Sequence, residues 1–231
     1  MTTIGNNLQA VRERIATACA GAQRPVTEVT LLAVSKTFGP EAVREAHAAG
    51  QRAFGENYIQ EAVEKIALLA DLPLQWHCIG PVQSNKTRLV AQHFDWVHTV
   101  DRLKVAQRLS EQRPDDKPPL NVCIQVNIDG GASKSGVAPE EALDLAREVA
   151  ALPRLRLRGL MTIPEPAATY DAQVAVHAQA AALFHDLRDA GLQLDTLSMG
   201  MTADLEAAIA AGSTMVRVGT AIFGGRPRHA A

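Results

Sequence analysis

The stretch AAGSTMVRVG (residues 210–219) joins the end of a helix, a short link and an apolar strand that stops at a glycine. Two earlier stretches, HAAGQRAFG (47–55) and RDAGLQLDTLSMG (188–200), repeat this arrangement. Short links between helices and strands are typical of parallel strands joined by right-handed crossovers. The three stretches therefore predict a repeating helix–strand unit.

The same unit can be followed along almost the whole chain. Strand-like runs begin near residues 29, 52, 75, 95, 121, 155, 194 and 214, and a helical stretch follows each of the first seven. Eight such strands predict an α/β fold, a single (β/α)8 barrel of the TIM type. The alternative is an open doubly wound sheet, but the glycine-rich turn of that fold is missing after VTLLAV (29–34).

The length of 231 residues is short for such a barrel, so we expect one domain over residues 1–231 with no room for a second. Before the first strand, residues 4–20 place Ile4, Leu8, Val11 and Ile15 on one helical face. This spacing predicts an extra N-terminal helix outside the repeating units.

The composition favours a soluble cytoplasmic protein. With 23 basic and 25 acidic residues the formal net charge is -2, which argues against nucleic acid or an anionic membrane as a partner. No apolar run approaches the roughly 18 residues of a membrane span, and charged residues interrupt the N-terminus where a signal peptide is apolar. Cys19, Cys78 and Cys123 fit neither a disulfide framework nor a zinc site, so we expect a reducing compartment and no metal.

Lys36 follows the apolar run of the first strand, with Ser35 between them. In barrels of this type the functional site lies at the carboxyl ends of the strands. Burial beside an apolar run favours the neutral amine, and a neutral amine can attack a carbonyl to form an imine. A lysine that simply reaches solvent explains this one position equally well.

The last two strands add an arginine and a group of small polar residues. Arg217 alternates with Val216 and Val218, so it should point into the mouth of the barrel. Glycines flanked by hydroxyls at strands 7 and 8 are a common phosphate site in such barrels. The positions concerned are Ser198, Gly200, Thr202, Gly219 and Thr220.

The helix expected to begin near Ala203 would add a favourable dipole for an anion. Taken singly, Thr202 could be an ordinary helix N-cap and Gly200 a plain turn. Together with Lys36 and Arg217, however, the two loops predict an imine lysine, a phosphate cup and an arginine in one site.

Other polar residues lie at or near further strand ends. Asn57 and His77 could line a ring pocket, although His77 is also consistent with a buried core histidine. Met161 ends the sixth strand, where we expect it to pack beneath a flat ligand. Lys86 is either a surface lysine or a second anion contact, and Lys134 is expected near the mouth, in the loop after the fifth strand.

A series of sequence blocks extends over nearly the whole chain, in the order SK (35–36), GENYIQE (55–61), WHCIG (76–80), QSNK (83–86), QVN with KSG (125–136), GLMTIP (159–164), SMGMT (198–202) and RVGTAIFG (217–224). With these blocks the sequence resembles the YggS/PROSC family, the pyridoxal phosphate homeostasis proteins. The resemblance implies a barrel like the N-terminal domain of alanine racemases that binds pyridoxal 5'-phosphate (PLP) as an imine.

The resemblance also implies a role for each matching residue. Lys36 would be the imine lysine, and Arg217 would face the pyridine nitrogen. The phosphate would be surrounded by Ser198, Gly200, Thr202, Gly219 and Thr220, and the ring would lie near Asn57, His77 and Met161.

The interpretation we favour is a monomeric carrier that holds PLP on Lys36 and supplies it to apo PLP-dependent enzymes, without catalytic turnover. An arginine at the pyridine nitrogen donates a hydrogen bond and takes no proton, which leaves the ring a weaker electron sink. The alternative is a low-activity PLP-dependent amino-acid racemase, which needs a second base that neither Tyr58 nor Tyr170 obviously supplies. A third is a class I aldolase-type barrel that acts on sugar phosphates without a cofactor.

Overall fold

Eight parallel strands close into a barrel in the computed structural model, which describes residues 2–131 and 135–225. Each strand pairs with the next one along the chain, and the last pairs with the first through Leu32 and Arg217, among other pairs. The strands are β1 (Thr30–Val34), β2 (Ala53–Glu56), β3 (Gln75–Cys78), β4 (Trp96–Val100), β5 (Leu120–Gln125), β6 (Leu155–Met161), β7 (Thr196–Ser198) and β8 (Met215–Val218). The predicted barrel is confirmed.

Helices follow the strands in alternation, and one more helix precedes β1, as the sequence predicted. They are α1 (Thr3–Gly21), α2 (Pro40–Ala48), α3 (Ile59–Leu68), α4 (Thr87–His93), α5 (Leu103–Gln112), α6 (Ala142–Ala150), α7 (Tyr170–Asp189), α8 (Leu205–Ala211) and α9 (Thr220–Phe223). Short 3-10 turns at Val26–Glu28 and Pro139–Glu141 precede β1 and α6.

Side chains of β1 alternate between the interior of the barrel and the core that lies between the strands and the helices. In β1, Leu32 and Val34 pack inside the barrel with Met215, whereas Ala33 faces the larger core between the strands and the helices. Period-2 alternation of a strand thus places the residue two positions after Val34, which is Lys36, on the inner face. The fold therefore aims Lys36 toward the mouth of the barrel.

Helix α1 supports the loops at the carboxyl ends of the last two strands. Its buried face carries Leu8, Val11, Ile15 and Cys19, which match the spacing of the predicted helix. From its polar side, Asn7 donates a hydrogen bond of 2.9 Å to the carbonyl of Ile222 in α9. The N-terminal helix is thus hydrogen-bonded to the short helix that follows β8.

The loop after β7 is longer than the sequence suggested. Helix α8 begins at Leu205 rather than near Ala203, and its N-cap is Asp204 rather than Thr202. The carboxylate of Asp204 accepts a hydrogen bond of 2.7 Å from the amide of Met201, which closes the turn. Thr202 is thereby left in the loop and not committed to capping the helix.

The three cysteines are buried and form no disulfide with one another. Burial raises the pKa of the Cys78 and Cys123 thiols to about 12, so both are inert at neutral pH.

Within residues 2–131 and 135–225, none of the helices combines the length and apolarity needed to cross a bilayer.

Candidate ligand cavity at the carboxyl ends of the strands

A cavity of about 400 Å³ opens at the carboxyl ends of the strands, where the sequence placed the functional site. Of the ten residues predicted for that site, those in the cavity wall are Lys36, Asn57, Thr202, Arg217, Gly219 and Thr220. Its size falls in the range of small-molecule sites. Lys36 and Arg217 are the ionisable residues of the described wall, and both are basic, which suits an anionic ligand.

Lys36 is half-buried and leaves β1 through a segment that is held on both sides. On one side, the hydroxyl of Ser35 donates to the carboxylate of Glu56 at 2.7 Å. On the other, the amide of Thr37 donates to Glu61 at 2.8 Å. Thr37 has a φ of 69°, a strained value for a β-branched residue that such contacts help to maintain.

A buried lysine anchors both of these carboxylates. The ammonium of Lys65 in α3 lies 2.6 Å from Glu56 and 3.1 Å from Glu61, and it also donates to the carbonyl of Ser35 at 3.0 Å. Sequence reasoning missed this cluster, although a charged residue at the end of β2 and an i, i+4 pair in α3 were visible signals. The cluster fixes the backbone from which Lys36 projects.

Arg217 is almost wholly buried at the wall of the cavity, with 4% of its surface exposed. Its guanidinium donates to the hydroxyl of Ser198 and to the carbonyl of Thr162, both at 2.8 Å. Burial lowers the pKa of Arg217 to about 10, while Asp204 opposes this, so the group stays charged at neutral pH. Arg217 thus offers a fixed cation to the cavity.

Thr202, Gly219 and Thr220 form the part of the wall suited to a phosphate. Arg14 of α1 holds the loop after β7, because it donates to the carbonyl of Thr202 at 2.9 Å and pairs with Glu206. The loop after β8 leads into α9, and the first amides of any helix lack intrahelical partners. Hydroxyls and such amides are suitable donors to phosphate oxygens.

Four predicted residues lie outside the cavity wall. Ser198 turns its hydroxyl to Arg217, and Gly200 is buried in the loop with a φ of 95°, which L residues rarely adopt. Met161 packs inside the barrel with Trp96 and Cys123. His77 is fully buried and stacks on Trp96 with 5.1 Å between ring centroids, so its core-histidine interpretation matches its placement.

The depth of these residues has a simple cause. The register pairs Met161 with Ser198 and His77 with Trp96, and all of them lie within the strands rather than beyond their carboxyl ends. Alternation along a strand indicates the inner face but not the layer in which a side chain ends. His98, which the sequence analysis did not select, occupies the same interior and contacts both His77 and Ser198 at 2.8 Å.

Apolar residues complete the cavity wall and were also missed. They are Val34, Ile79, Ile163, Met201 and Ala203. A smaller recess of about 180 Å³ adjoins the cavity through Asn57, Ile79 and Ile163. The side-chain oxygen of Asn57 is buried there and has no hydrogen-bond partner within the described ranges, so it is available to a ligand.

The two further lysines have different outcomes. Lys86 is half-buried and lies in the turn before α4, since QSNK (83–86) precedes that helix. It is absent from the described cavity wall. Lys134 lies outside the described residues.

No group of three or more His, Cys, Asp or Glu side chains within residues 2–131 and 135–225 is arranged to hold a metal ion.

Comparison with known proteins gives one consistent set of relatives. A family profile described as the N-terminal domain of alanine racemase matches residues 6–227. The pyridoxal phosphate homeostasis protein of Pseudomonas aeruginosa is 63% identical over 226 residues, which are 98% of this chain and 97% of the relative. Its counterpart in Escherichia coli K12 is 56% identical over 229 residues, with 98% of each chain covered.

Solved structures show the same fold. PipY of Synechococcus elongatus PCC7942, solved with PLP bound, has a TM-score of 0.84 and 39% identity, covering 96% of this chain and 100% of that one. Alanine racemase of Corynebacterium glutamicum has a TM-score of 0.69 and covers 99% of this chain and 62% of that one. At 18% identity, the racemase shares the fold alone.

Proposed function

Because this chain belongs to the family of the pyridoxal phosphate homeostasis proteins, we propose that it binds PLP and supplies it to other proteins. The proposed site is the cavity at the carboxyl ends of the strands. The observation that carries the proposal is that Lys36, Arg217 and the hydroxyls of Thr202 and Thr220 meet in one cavity. An amine, a cation and hydroxyl donors are the groups that an aldehyde bearing a phosphate requires.

The residues present fit the cofactor. The described wall carries the buried cation of Arg217 and the amine of Lys36, and the buried oxygen of Asn57 is without a partner among the described residues. When bound, PLP supplies an aldehyde that a primary amine can capture reversibly. Lys36 would be that amine, while Thr202, Gly219 and Thr220 would hold the phosphate. Asn57 would contact the ring.

Arg217 would face the ring nitrogen as a donor. Its guanidinium carries no acceptor, so it takes no proton from a ligand and keeps its charge. A site with this partner holds the ring as a weak electron sink, which suits storage better than turnover. Ser198, His77 and Met161 would support the site from beneath, since none of them lines the described cavity wall.

The likeness to enzymes is weaker than the likeness to homeostasis proteins. Relatives at 63% and 56% identity carry the homeostasis name, whereas the alanine racemase above is 18% identical. A racemase would need a second proton-transfer group, and Tyr58 and Tyr170 are both about half exposed and outside the described wall. Binding without established turnover is therefore the function we assign.

The first test is covalent mapping of the site. We expect the purified protein with PLP to absorb in the near-ultraviolet or visible range, and borohydride reduction to leave the label on Lys36. The variant Lys36→Ala should lose both signals, whereas Lys86→Ala should retain them because Lys86 is absent from the described wall. A label on another lysine would overturn the site, and a protein that takes up no PLP would overturn the function.

The second test is transfer. Wild-type protein loaded with PLP should restore activity to an apo PLP-dependent enzyme, and Lys36→Ala treated in the same way should not. Failure of the loaded protein to restore activity counts against supply to other proteins. Turnover of an amino-acid panel that disappears in Lys36→Ala would instead establish the racemase.

We further propose that residues 1–231 act as one domain, as a monomer and in the cytoplasm. Three buried cysteines without a disulfide among them are consistent with a reducing compartment. Sedimentation of the loaded protein would test the monomer, and partial proteolysis would test the single domain. The recipients would be apo PLP-dependent enzymes.

A further inference from the structure

A chain of hydrogen bonds crosses the interior of the barrel beneath the cavity. It begins at Arg217, passes through Ser198, His98 and His77, and ends at the side-chain oxygen of Gln75. The successive distances are 2.8, 2.8, 2.8 and 2.9 Å. The chain therefore links a wall of the proposed PLP cavity to the first residue of β3.

The chemistry of the two ends, with both imidazoles neutral, sets the direction of every bond between them. Arg217 can only donate, so the oxygen of Ser198 accepts and its proton is free to point to Nδ1 of His98. The oxygen of Gln75 can only accept, so Nε2–H of His77 donates to it. A neutral imidazole has one donor and one acceptor nitrogen, so in the neutral state Nδ1 of His77 accepts from Nε2–H of His98, and both rings carry their proton on Nε2.

Burial agrees with this protonation state. His77 and His98 are both fully buried. Burial is the main cause that lowers the pKa of His77 to about 3, and it also lowers that of His98 well below its usual value, with Arg217 and His77 adding to the effect. The charged neighbours are cations, since Arg217 touches Ser198 and Arg158 lies over the Trp96 ring on which His77 stacks.

The chain constrains how Arg217 presents itself to the cavity. Two of its five N–H groups are engaged, one by Ser198 and one by the carbonyl of Thr162. A backbone carbonyl has a fixed position, but a serine hydroxyl can rotate, and only its bond to Nδ1 of His98 keeps its lone pairs toward Arg217. His98 in turn is held by His77.

We propose that His98, seated on His77, is a positioning residue that orients Ser198 and thereby aims the guanidinium of Arg217 into the cavity. This inference rests on the proposed function, because the group that Arg217 is aimed at is the ring nitrogen of PLP. His98 touches no ligand itself. Its effect reaches the cavity through two hydrogen bonds.

The test compares two replacements of His98 that differ in whether a hydrogen-bond acceptor remains. His98→Asn keeps an acceptor near the position of Nδ1, whereas His98→Leu removes the acceptor while filling the space. We expect His98→Leu to weaken PLP binding about tenfold, the effect of one hydrogen bond to a charged group, and His98→Asn to recover most of it. His93→Leu, at the end of α4, is the matched control and should bind as wild type does.

A PLP analogue with carbon in place of the ring nitrogen separates positioning from general damage. If His98 acts through Arg217, His98→Leu should weaken binding of PLP but leave binding of the analogue nearly unchanged. Adding His98→Leu to Ser198→Ala should cost little more, since both break the same chain. Equal losses for PLP and the analogue, or no loss for PLP, would overturn the inference while the proposed function stands.

The imidazoles can also be observed directly in the protein without ligand. Nitrogen NMR should find both His77 and His98 neutral and protonated on Nε2 at pH 7. A proton on Nδ1 of His98 would reverse the chain and overturn the inference. A wild-type protein that binds no PLP would instead overturn the proposed function, and this inference with it.

Discussion

The ammonium of Lys65 lies 2.6 Å from the carboxylate of Glu56, and both side chains are almost wholly removed from water, with 4% and 0% of their surface exposed. The pair stands directly behind the backbone that carries Lys36, since Lys65 also donates to the carbonyl of Ser35. Burial raises the pKa of Glu56, while Lys65 and Ser35 oppose the rise. The carboxylate therefore depends on its partners to remain charged.

Removal of the lysine should destabilise the fold strongly. Lys65→Met leaves Glu56 buried without a counter-ion, and we expect the free energy of unfolding to fall by about 3–5 kcal/mol in urea titrations. The double variant Lys65→Met/Glu56→Gln should recover a large part of this loss, because no buried charge remains.

An exposed ion pair provides the control for that experiment. Arg44 and Asp71 are 2.7 Å apart but remain open to solvent. Arg44→Met should therefore lower the free energy of unfolding far less than Lys65→Met does. If Lys65→Met is as mild as Arg44→Met, the buried pair does not support β1 as described.

Two glycines with similar backbone angles should respond differently to alanine. Gly200 has a φ of 95° and Gly191 a φ of 99°. A Cβ at position 200 would lie 2.5 Å from Cβ of Ala208, whereas a Cβ at position 191 would meet nothing within 4 Å. We expect Gly191→Ala to cost about 1 kcal/mol from backbone strain. Gly200→Ala should cost about 3 kcal/mol, because overpacking adds to the strain.

Gly200→Ala should also weaken PLP binding, since the carbonyl of Gly200 accepts from the amide of Arg217 at 2.9 Å. Thermal unfolding and PLP titration of both variants would measure these effects. Equal losses of stability at the two sites would show that the loop after β7 has room to move.

The hydroxyl of Thr220 should contribute to the affinity for phosphate and not for the ring. We expect Thr220→Val to weaken PLP binding about tenfold, the effect of one lost hydrogen bond to a charged group. Binding of pyridoxal, which has no phosphate, should stay the same. Thr30→Val, at the opposite end of β1, is the matched control and should change neither titration. Parallel losses for both ligands would place the phosphate elsewhere.

Acid should destabilise the protein through the buried imidazole of His77. Its pKa is about 3 in the folded protein against 6.5 for the free side chain, so below pH 6.5 the unfolded chain binds a proton that the folded one does not. The free energy of unfolding should therefore fall as the pH falls from 6.5 toward 3. The slope expected for one such group is about 1.4 kcal/mol per pH unit.

The contribution of His77 can be isolated by substitution. His77→Gln should have a smaller slope between pH 6.5 and 4 than the wild-type protein, measured by urea unfolding at several pH values. His185→Gln, on the exposed side of α7, is the matched control for the loss of an imidazole. A wild-type slope that His77→Gln does not reduce would mean that His77 is protonated in the folded state.

The sequence was sufficient for the fold and for part of the site. The helix–strand repeat specified eight parallel strands, and alternation in β1 and β8 put Lys36 and Arg217 on the inner face. Both signals are local, because a period of two residues and a glycine at a helix end depend only on neighbouring residues. The resemblance to pyridoxal phosphate homeostasis proteins was likewise confirmed by relatives at up to 63% identity.

Tertiary structure alone decided which inner residues meet and at what depth. His98 and Ser198 are 100 positions apart, yet they are in contact because β4 and β7 both direct side chains into the interior of one closed barrel. The register of the strands likewise places His77 and Met161 below the cavity. Alternation assigns a side chain to a face, but the register of the whole ring sets its layer, and the register involves all eight strands at once.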